Sequence, residues 1–471
     1  MHEITLGKIA EITGGTVFGD SEIVIGSVAT DSRNSGTNWL FCAIKGERVD
    51  GHDFEDSARV NGAVASLVSR SVVGPHVIVP AADGNLDPVV IALGKMAAHD
   101  RLQFAGVNVI GITGSSGKTS TKDIIGQVLA HSGVTQSPVG SPNNELGLPL
   151  TILDSDTSIK NLVLEMGMRG LGHIKYLCEI AKPTVAVVTN VGQAHIGEVG
   201  SVAEIAKAKS EIVQDLTPEN WAVLNHDDLN VLPMRELTKA QVLTYGFGSD
   251  ANVRADNVVA KADGTYEFDV HIGADSEQVT LSLLGEHNIS NSLAAVAVAT
   301  ICGMKLSDIA KALSEVKLVS QWRMEQSVLP SGVRLINDAY NANPESMAAA
   351  LRTLAGIADP GHSWAVLGAM GELGEFAIEQ HDAIGRLAVR LDISHLVVVG
   401  EKAKAMYLGA LQEGSWNGES VWFPDFTSAC DYIVERVKSP DVVLFKASRS
   451  GHFEQLAQLV ASALSHEGSA Q

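Results

Sequence analysis

The segment Thr113-Gly114-Ser115-Ser116-Gly117-Lys118-Thr119 carries the residue types and spacing that hold the phosphates of a nucleotide. In a glycine-rich turn that opens a helix, successive backbone N–H groups point at the β- and γ-phosphates. Lys118 adds a mobile positive charge, the Thr119 hydroxyl can ligate Mg²⁺, and Ser120 continues the turn into the helix. The expected ligand is ATP or GTP. One residue departs from the general pattern: Ile112 stands where a glycine five residues before Gly117 is usual.

Three more side chains could do chemistry beside such a loop. Glu165 ends the apolar run Leu162-Val163-Leu164, where a carboxylate can reach a cation held by Thr119; a helix-capping acid is the other reading. His195 follows the run Val185 to Thr189 directly, although a lone histidine is more often structural. In the helical pattern that begins at Val202, Ile205, Ala206, Ile212 and Val213 form one stripe, and Lys209 falls within it, whereas Lys207 projects away. Desolvation lowers the pKa of a lysine and leaves a free amine near neutral pH. That amine can combine with CO₂ to give a carbamate, an added carboxylate for a second Mg²⁺. The alternative is that Lys209 snorkels out of the stripe.

The elements that must position these groups follow from periodicity. Val107 to Thr113 reads as a buried strand, and from Lys118 the residues Ile124, Ile125, Val128 and Leu129 recur at helical spacing. Strands at Leu162 to Glu165, Val185 to Thr189 and Ala222 to Leu224 alternate with helical stretches, the order of a doubly wound parallel sheet whose ligands collect at the C-terminal strand ends. Ahead of it, short β-like runs (Ile23 to Val28, Trp39 to Ile44, Val77 to Val79) and a helix from Leu86 to Asp100 form a small α/β unit. After Gln321-Trp322-Arg323 a second alternation begins (Leu335-Ile336, Trp364 to Leu367, Leu396 to Val399, Val442 to Phe445). It reads as a Rossmann-like unit, although the glycines of Gly368 to Gly374 make no dinucleotide fingerprint. The expected division is 1–83, 84–318 and 319–471, in keeping with 471 residues and roughly three domains.

Bulk properties narrow the class. A formal charge of −21, from 34 basic and 55 acidic residues, argues against a nucleic-acid partner, so an anionic ligand must be met locally. Cys42, Cys178, Cys302 and Cys430 lack metal or redox spacing and are expected as reduced thiols. No basic-then-apolar leader is present, and the longest apolar stretch, around Leu293 to Cys302, is too short to span a bilayer. The expectation is a cytoplasmic protein with no membrane insertion, acting as a monomer.

Two further segments could contribute to a nucleotide site. Gly285-Glu286-His287-Asn288 precedes an Ala/Val-rich helix and offers amide groups for a base or ribose, with helix capping by Asn288 as the competing reading. Arg323 and Asp338 belong to the third unit; an arginine near a junction can reach across to phosphate, and a surface ion pair is the alternative.

Taken together, the chain resembles the Mur ligase family. The likeness rests on the phosphate loop without its first glycine, Glu165-Met166-Gly167, the Asn190 to Gly197 segment, Lys207-Ala208-Lys209, Gly285-Glu286-His287-Asn288 and Trp322-Arg323. Ser141 to Pro149, Asn337 to Pro344, Gly368 to Gly374, Asp31-Ser32-Arg33 and Lys45 to His52 resemble the branch that adds a dipeptide, and the Asp-Asn-Pro-Arg motif of the diaminopimelate-adding branch is absent. Arg169 and His173 stand where many relatives have Asn and Glu.

This resemblance implies that ATP phosphorylates the terminal carboxylate of UDP-N-acetylmuramoyl-tripeptide and that the amine of D-Ala-D-Ala attacks the acyl phosphate. It implies one Mg²⁺ on Thr119 and Glu165 and a second served by His195, Glu165 and carbamylated Lys209, with Lys118 steadying the transferring phosphoryl. Asn288 is implied as the adenine contact, with Arg323 and Asp338 closing over ATP. Ser32, Arg33, Lys45 and Arg48 are implied for the UDP-sugar, and Asn143 and Asn144 for substrate. The tripeptide could end in diaminopimelate or lysine. Rival readings are a ligase adding a single amino acid, a folylpolyglutamate synthase, or a P-loop NTPase that only hydrolyses ATP.

Overall fold

The computed structural model describes residues 1–467 except Ser35, Asp83, Asn85, His195, Pro360, Gly361 and Ser415, with backbone alone for His466 and Glu467. Among these residues, sheets of five, nine and six strands succeed one another along the chain, and Ile4–Thr5 pairs with Val24–Ile25 at its start. The fold is the expected α/β architecture with mostly parallel sheets.

The first sheet runs in the order Thr16–Phe18, His76–Ile78, Ala63–Val68, Trp39–Cys42, Ser27–Ala29, parallel except at its first pair. The run expected as one strand from Ile23 to Val28 divides at Gly26: Val24–Ile25 pairs with Ile4–Thr5, and Ser27–Ala29 pairs with Trp39–Cys42. A residue without a side chain weakens a strand interior and lets the chain change sheets there. The helix expected from Leu86 spans Pro88–Arg101, because Asp87 accepts the Val89 N–H and Pro88 takes the first turn. The helix Leu6–Thr13, capped by Thr5, and the strand Ala63–Val68 escaped the sequence reading.

In the nine-stranded sheet, Asn108–Thr113 lies between Asn161–Glu165 and Val185–Val188, both parallel to it. After this strand the chain passes to the edge strand Thr135–Gln136, returns through Asn161–Glu165 on one side, and then crosses to Val185–Val188 and winds outward on the other, a reversal that opens a crevice at the C-terminal strand ends. Alternation sets the two faces. Ile110, Ile112, Val163, Val185 and Val187 pack against Ile124, Ile125, Val128 and Leu129 of the helix Lys118–Ala130. Val109, Leu162, Leu164, Ala186 and Val188 face a core shared with Leu93, Ile174, Leu177, Ile205 and Ile212. The far edge continues into antiparallel strands Val253–Ala260, Tyr266–Ile272 and Asp275–Leu281, which the sequence reading did not foresee.

The third sheet has the order Glu325–Val328, Arg334–Asn337, Val442–Lys446, Ser363–Leu367, His395–Val399, Glu419–Phe423, parallel except at its first pair. It meets the central unit at close range. Gly197 N–H donates to Glu372 O at 3.1 Å, and a Cβ on Gly197 would stand 2.4 Å from Gly374 N. Asn343 Nδ2 donates to Ser115 O at 3.2 Å, and Gln193 N–H donates to Glu345 Oε1 at 2.6 Å.

A buried lysine fixes the loop that passes beside the phosphate loop. Lys122 is fully buried; its ammonium donates to Pro138 O and to Gly140 O at 2.9 Å, and pairs with Asp123 at 2.7 Å. All three donors are thereby used. Lys122→Met leaves two carbonyls and a carboxylate without their cation, so a loss of about 3 kcal/mol is expected in urea unfolding. Gly197→Ala forces backbone apart on both sides, and a cost of about 1–3 kcal/mol is expected in the same measurement. An unchanged midpoint for Gly197→Ala would mean that this junction opens without resistance.

Candidate active site

A cavity of about 1350 Å³ lies at the C-terminal ends of the central strands, closed on one side by residues of the third unit. Its floor is the phosphate loop. Gly117 takes φ +78° and a Cβ there would stand 2.8 Å from Asn291 Oδ1, so glycine is required on both counts. Ser116 N–H donates to Asn190 Oδ1 at 2.9 Å, and Gly192 N–H donates to Ser115 Oγ at 2.8 Å. The expected residues Ser115, Ser116, Gly117, Lys118, Thr119 and Ser120 line the cavity, and Gly114 lies beneath, where its carbonyl accepts from Lys118 Nζ at 2.7 Å.

Glu165 stands at the centre and is 2% exposed. Thr119 Oγ1 donates to its Oε2 at 2.6 Å; Ser141 Oγ and Asn143 Nδ2 donate to its Oε1 at 2.7 and 2.6 Å. Burial alone would raise this carboxyl, but Lys118, the Thr119 hydrogen bond, Arg323 and the Ser141 hydrogen bond outweigh it and hold the group below the usual carboxylate value. The helix-cap reading of Glu165 therefore fails: the residue ends a strand and accepts from side chains. Thr119 and Glu165 present a hydroxyl and an ionised carboxylate side by side, a hard-oxygen pair that suits Mg²⁺ with phosphate and water completing the shell.

Arg323 crosses from the third unit. Its Nη2 donates to Thr119 Oγ1 at 2.8 Å and its guanidinium stacks over Tyr340 at 4.2 Å. Arg323 Nε is buried and has no partner among the described residues. The surface-ion-pair alternative is thus displaced by a cation aimed into the cavity. Trp322 and Met324 on either side take φ +58° and +55°, a strained pair of conformations for residues of this size.

Lys209 is 1% exposed, so it does not snorkel. Its amine makes no hydrogen bond to another described residue, and burial, reinforced by the charge on Lys118, pushes its pKa well below the ordinary lysine value. It is not part of the cavity wall, while Lys207 is exposed and lies 3.8 Å from Glu204. Lys118 is also lowered by burial, opposed by Glu165. His195 lies outside the described residues.

Several expected contacts have local partners. Asn288 lines the cavity as the second residue of the helix His287–Ile301 and does not cap it. Its Nδ2 donates to Leu284 O at 2.8 Å and its Oδ1 accepts from Asn291 at 2.9 Å, so both ends of the amide are engaged. Asn144 Oδ1 accepts the Gly147 N–H at 2.8 Å. Asp338 lines the cavity with Oδ1 on Met324 N–H at 3.1 Å and Oδ2 on Lys446 Nζ at 2.6 Å. Ser32, Arg33, Lys45 and Arg48 are not part of the cavity wall. Ser32 is buried, Arg33 is held by Asp31 at 2.7 Å, and the Lys45 N–H donates to Asp87.

The sequence reading passed over Lys446, Tyr340, Asn190 and the site role of Ser141. Lys446 could have been found by the rule that found Glu165, since it directly follows the apolar run Val442 to Phe445. The other three lie in loops without periodicity; the segments Asn190 to Gly197, Asn337 to Pro344 and Ser141 to Pro149 that hold them carry the family likeness, but nothing in period or spacing singles out these residues within them.

Comparison with known proteins now bears on these features. Residues 24–105 match the Mur ligase family catalytic domain, 112–299 the Mur ligase middle domain, and 322–449 the Mur ligase glutamate ligase domain. The UDP-N-acetylmuramoyl-tripeptide--D-alanyl-D-alanine ligase of Mycobacterium bovis is 42% identical, with 96% of each chain covered. A crystal structure of MurF from Acinetobacter baumannii superposes with a TM-score of 0.89 at 31% identity, over 98% of this chain and 99% of that one. MurF from Thermotoga maritima, solved in complex with ADP, gives 0.80 at 29% identity over 94% and 98%. The likeness embraces the phosphate loop, the Glu165 strand and the third-unit arginine together, and the chain belongs to the Mur ligase family.

Proposed function

We infer that this chain is an ATP-dependent ligase that joins D-Ala-D-Ala to UDP-N-acetylmuramoyl-tripeptide, releasing ADP and phosphate. The observation that carries this reading is the chain of hydrogen bonds from Arg323 through Thr119 to Glu165, in a protein 42% identical over 96% of its length to a ligase of that name. ATP binding is further supported by the ADP-bound relative of the same fold.

The residues suit a two-step reaction. A carboxylate oxygen of the tripeptide attacks the γ-phosphorus of ATP, the bond to the β-γ bridging oxygen breaks, and ADP leaves. The dipeptide amine then attacks the acyl carbon, phosphate departs with the C–O electron pair, and the proton lost from the nitrogen passes to the departing phosphate. Lys118 and Arg323 supply positive charge where the phosphoryl group is transferred. Thr119 and Glu165 would hold Mg²⁺, which supplies charge neutralisation and orientation when bound. Lys209, buried and without a hydrogen-bond partner among the described residues, is suited to carry a carbamate that would serve a second Mg²⁺ with His195. Asn288 and Asp338 would border the nucleoside, and Ser32, Arg33, Lys45 and Arg48 would meet the UDP-sugar once the first unit swings toward the cavity.

The proposed division at 83/84 and 318/319 is supported by the three separate sheets. Among the described residues, no helix is long and apolar enough to cross a membrane.

Phosphate release measured with UDP-N-acetylmuramoyl-tripeptide is expected to be fast with D-Ala-D-Ala and negligible with single amino acids; the reverse order would overturn the reading. Lys209→Ala is expected to lower kcat by on the order of 100-fold, with partial rescue by short carboxylic acids. In the unsubstituted protein, activity should fall toward acid pH as the Lys209 carbamate takes up a proton, releases CO₂ and leaves an amine that is itself protonated. Full activity of Lys209→Ala without added acid would refute the carbamate.

A further inference from the structure

The cavity wall carries one charged pair that the reaction steps leave unused. Arg169 and Glu145 both line it, with Arg169 Nη1 3.9 Å from Glu145 Oε1. That separation is too long for a tight bidentate pair, so both groups keep donors and acceptors for a ligand. The Arg169 side chain is 65% exposed. Its backbone is nevertheless fixed: the Arg169 N–H donates to His173 Nδ1 at 3.2 Å, and Glu211 accepts from the Gly172 and Lys175 N–H groups at 2.7 and 3.0 Å. Glu145 belongs to the loop whose Ser141 and Asn143 hold Glu165.

Resting on the ligase reading above, we propose that the tripeptide accepted here ends in diaminopimelate, with Arg169 taking the distal carboxylate of its side chain and Glu145 the distal ammonium. A guanidinium beside a carboxylate is the complement of a zwitterionic amino-acid terminus. Diaminopimelate ends its side chain in that group, whereas lysine ends in an ammonium alone and leaves Arg169 with no anion.

The placement also addresses a choice that such a substrate imposes. Diaminopimelate brings two carboxylates of similar chemistry, and only the one on the peptide's own α-carbon is to be phosphorylated. Arg169 stands four residues beyond Glu165, so their Cα atoms are at most ~14 Å apart, a span that two side chains and the diaminopimelate arm between them cover. Anchoring the distal zwitterion at Arg169 and Glu145 leaves the α-carboxylate as the one presented beside Glu165.

Phosphate release with D-Ala-D-Ala and each of the two tripeptides tests this. The unsubstituted protein is expected to favour the diaminopimelate peptide in kcat/KM by about tenfold or more, the scale of one charge-assisted hydrogen bond. Arg169→Gln should raise KM about tenfold for the diaminopimelate peptide, with the lysine peptide changed far less and KM for ATP unmoved. Glu145→Gln should weaken both peptides, since both carry a distal ammonium. Equal use of the two peptides by the unsubstituted protein, or an equal effect of Arg169→Gln on both, would overturn the inference and leave the ligase reading standing. Absence of turnover with either tripeptide would remove both.

Discussion

An ionised carboxylate buried at the end of a central strand is the constraint on which the site depends. Glu165 is almost without solvent, and such a group would ordinarily take up a proton. It keeps its charge because Lys118, Arg323 and three side-chain donors surround it. These partners come from the phosphate-loop helix, the loop after Pro138 and the linker into the third unit. Holding one charge therefore orders three separated segments, and it leaves an anion ready for a cation that the same segments enclose.

The amines of Lys118 and Lys209 differ for a related reason. Burial lowers both Lys118 and Lys209, but the negative charge of Glu165 opposes the fall at Lys118, while Lys118 itself deepens it at Lys209. The carboxylate thus favours the protonated form at Lys118, and the Lys118 charge disfavours it at Lys209. Loss of charge at Glu165 would disturb this ordering without any change in shape.

Close approach of backbones supplies the remaining part. Gly192 and Gly197 of the segment after the Val185–Val188 strand have no room for a Cβ against Glu345 and Gly374 of the third unit. Small residues here let Asn343 reach the phosphate loop and let Arg323 reach Thr119. The strained backbone around Arg323 is consistent with a side chain held in place by its surroundings rather than by its own preference.

Much of this was legible in the amino-acid order. The strands Asn108–Thr113, Asn161–Glu165 and Val185–Val188, the phosphate loop between strand and helix, and Lys209 on an apolar helical face all follow from period and turn chemistry, which act over a few residues. So does the placing of Glu165, because a polar residue ending an apolar run must lie at a strand end. What the order of residues left open was decided in three dimensions. Whether Lys209 stays buried, whether Asn143 turns to Glu165 or to a ligand, and that Lys446 pairs with Asp338 over more than a hundred intervening residues depend on which distant segments pack together. Local chemistry fixes what a side chain can do, whereas its charge state and partner are set by the solvent that the whole fold removes from around it.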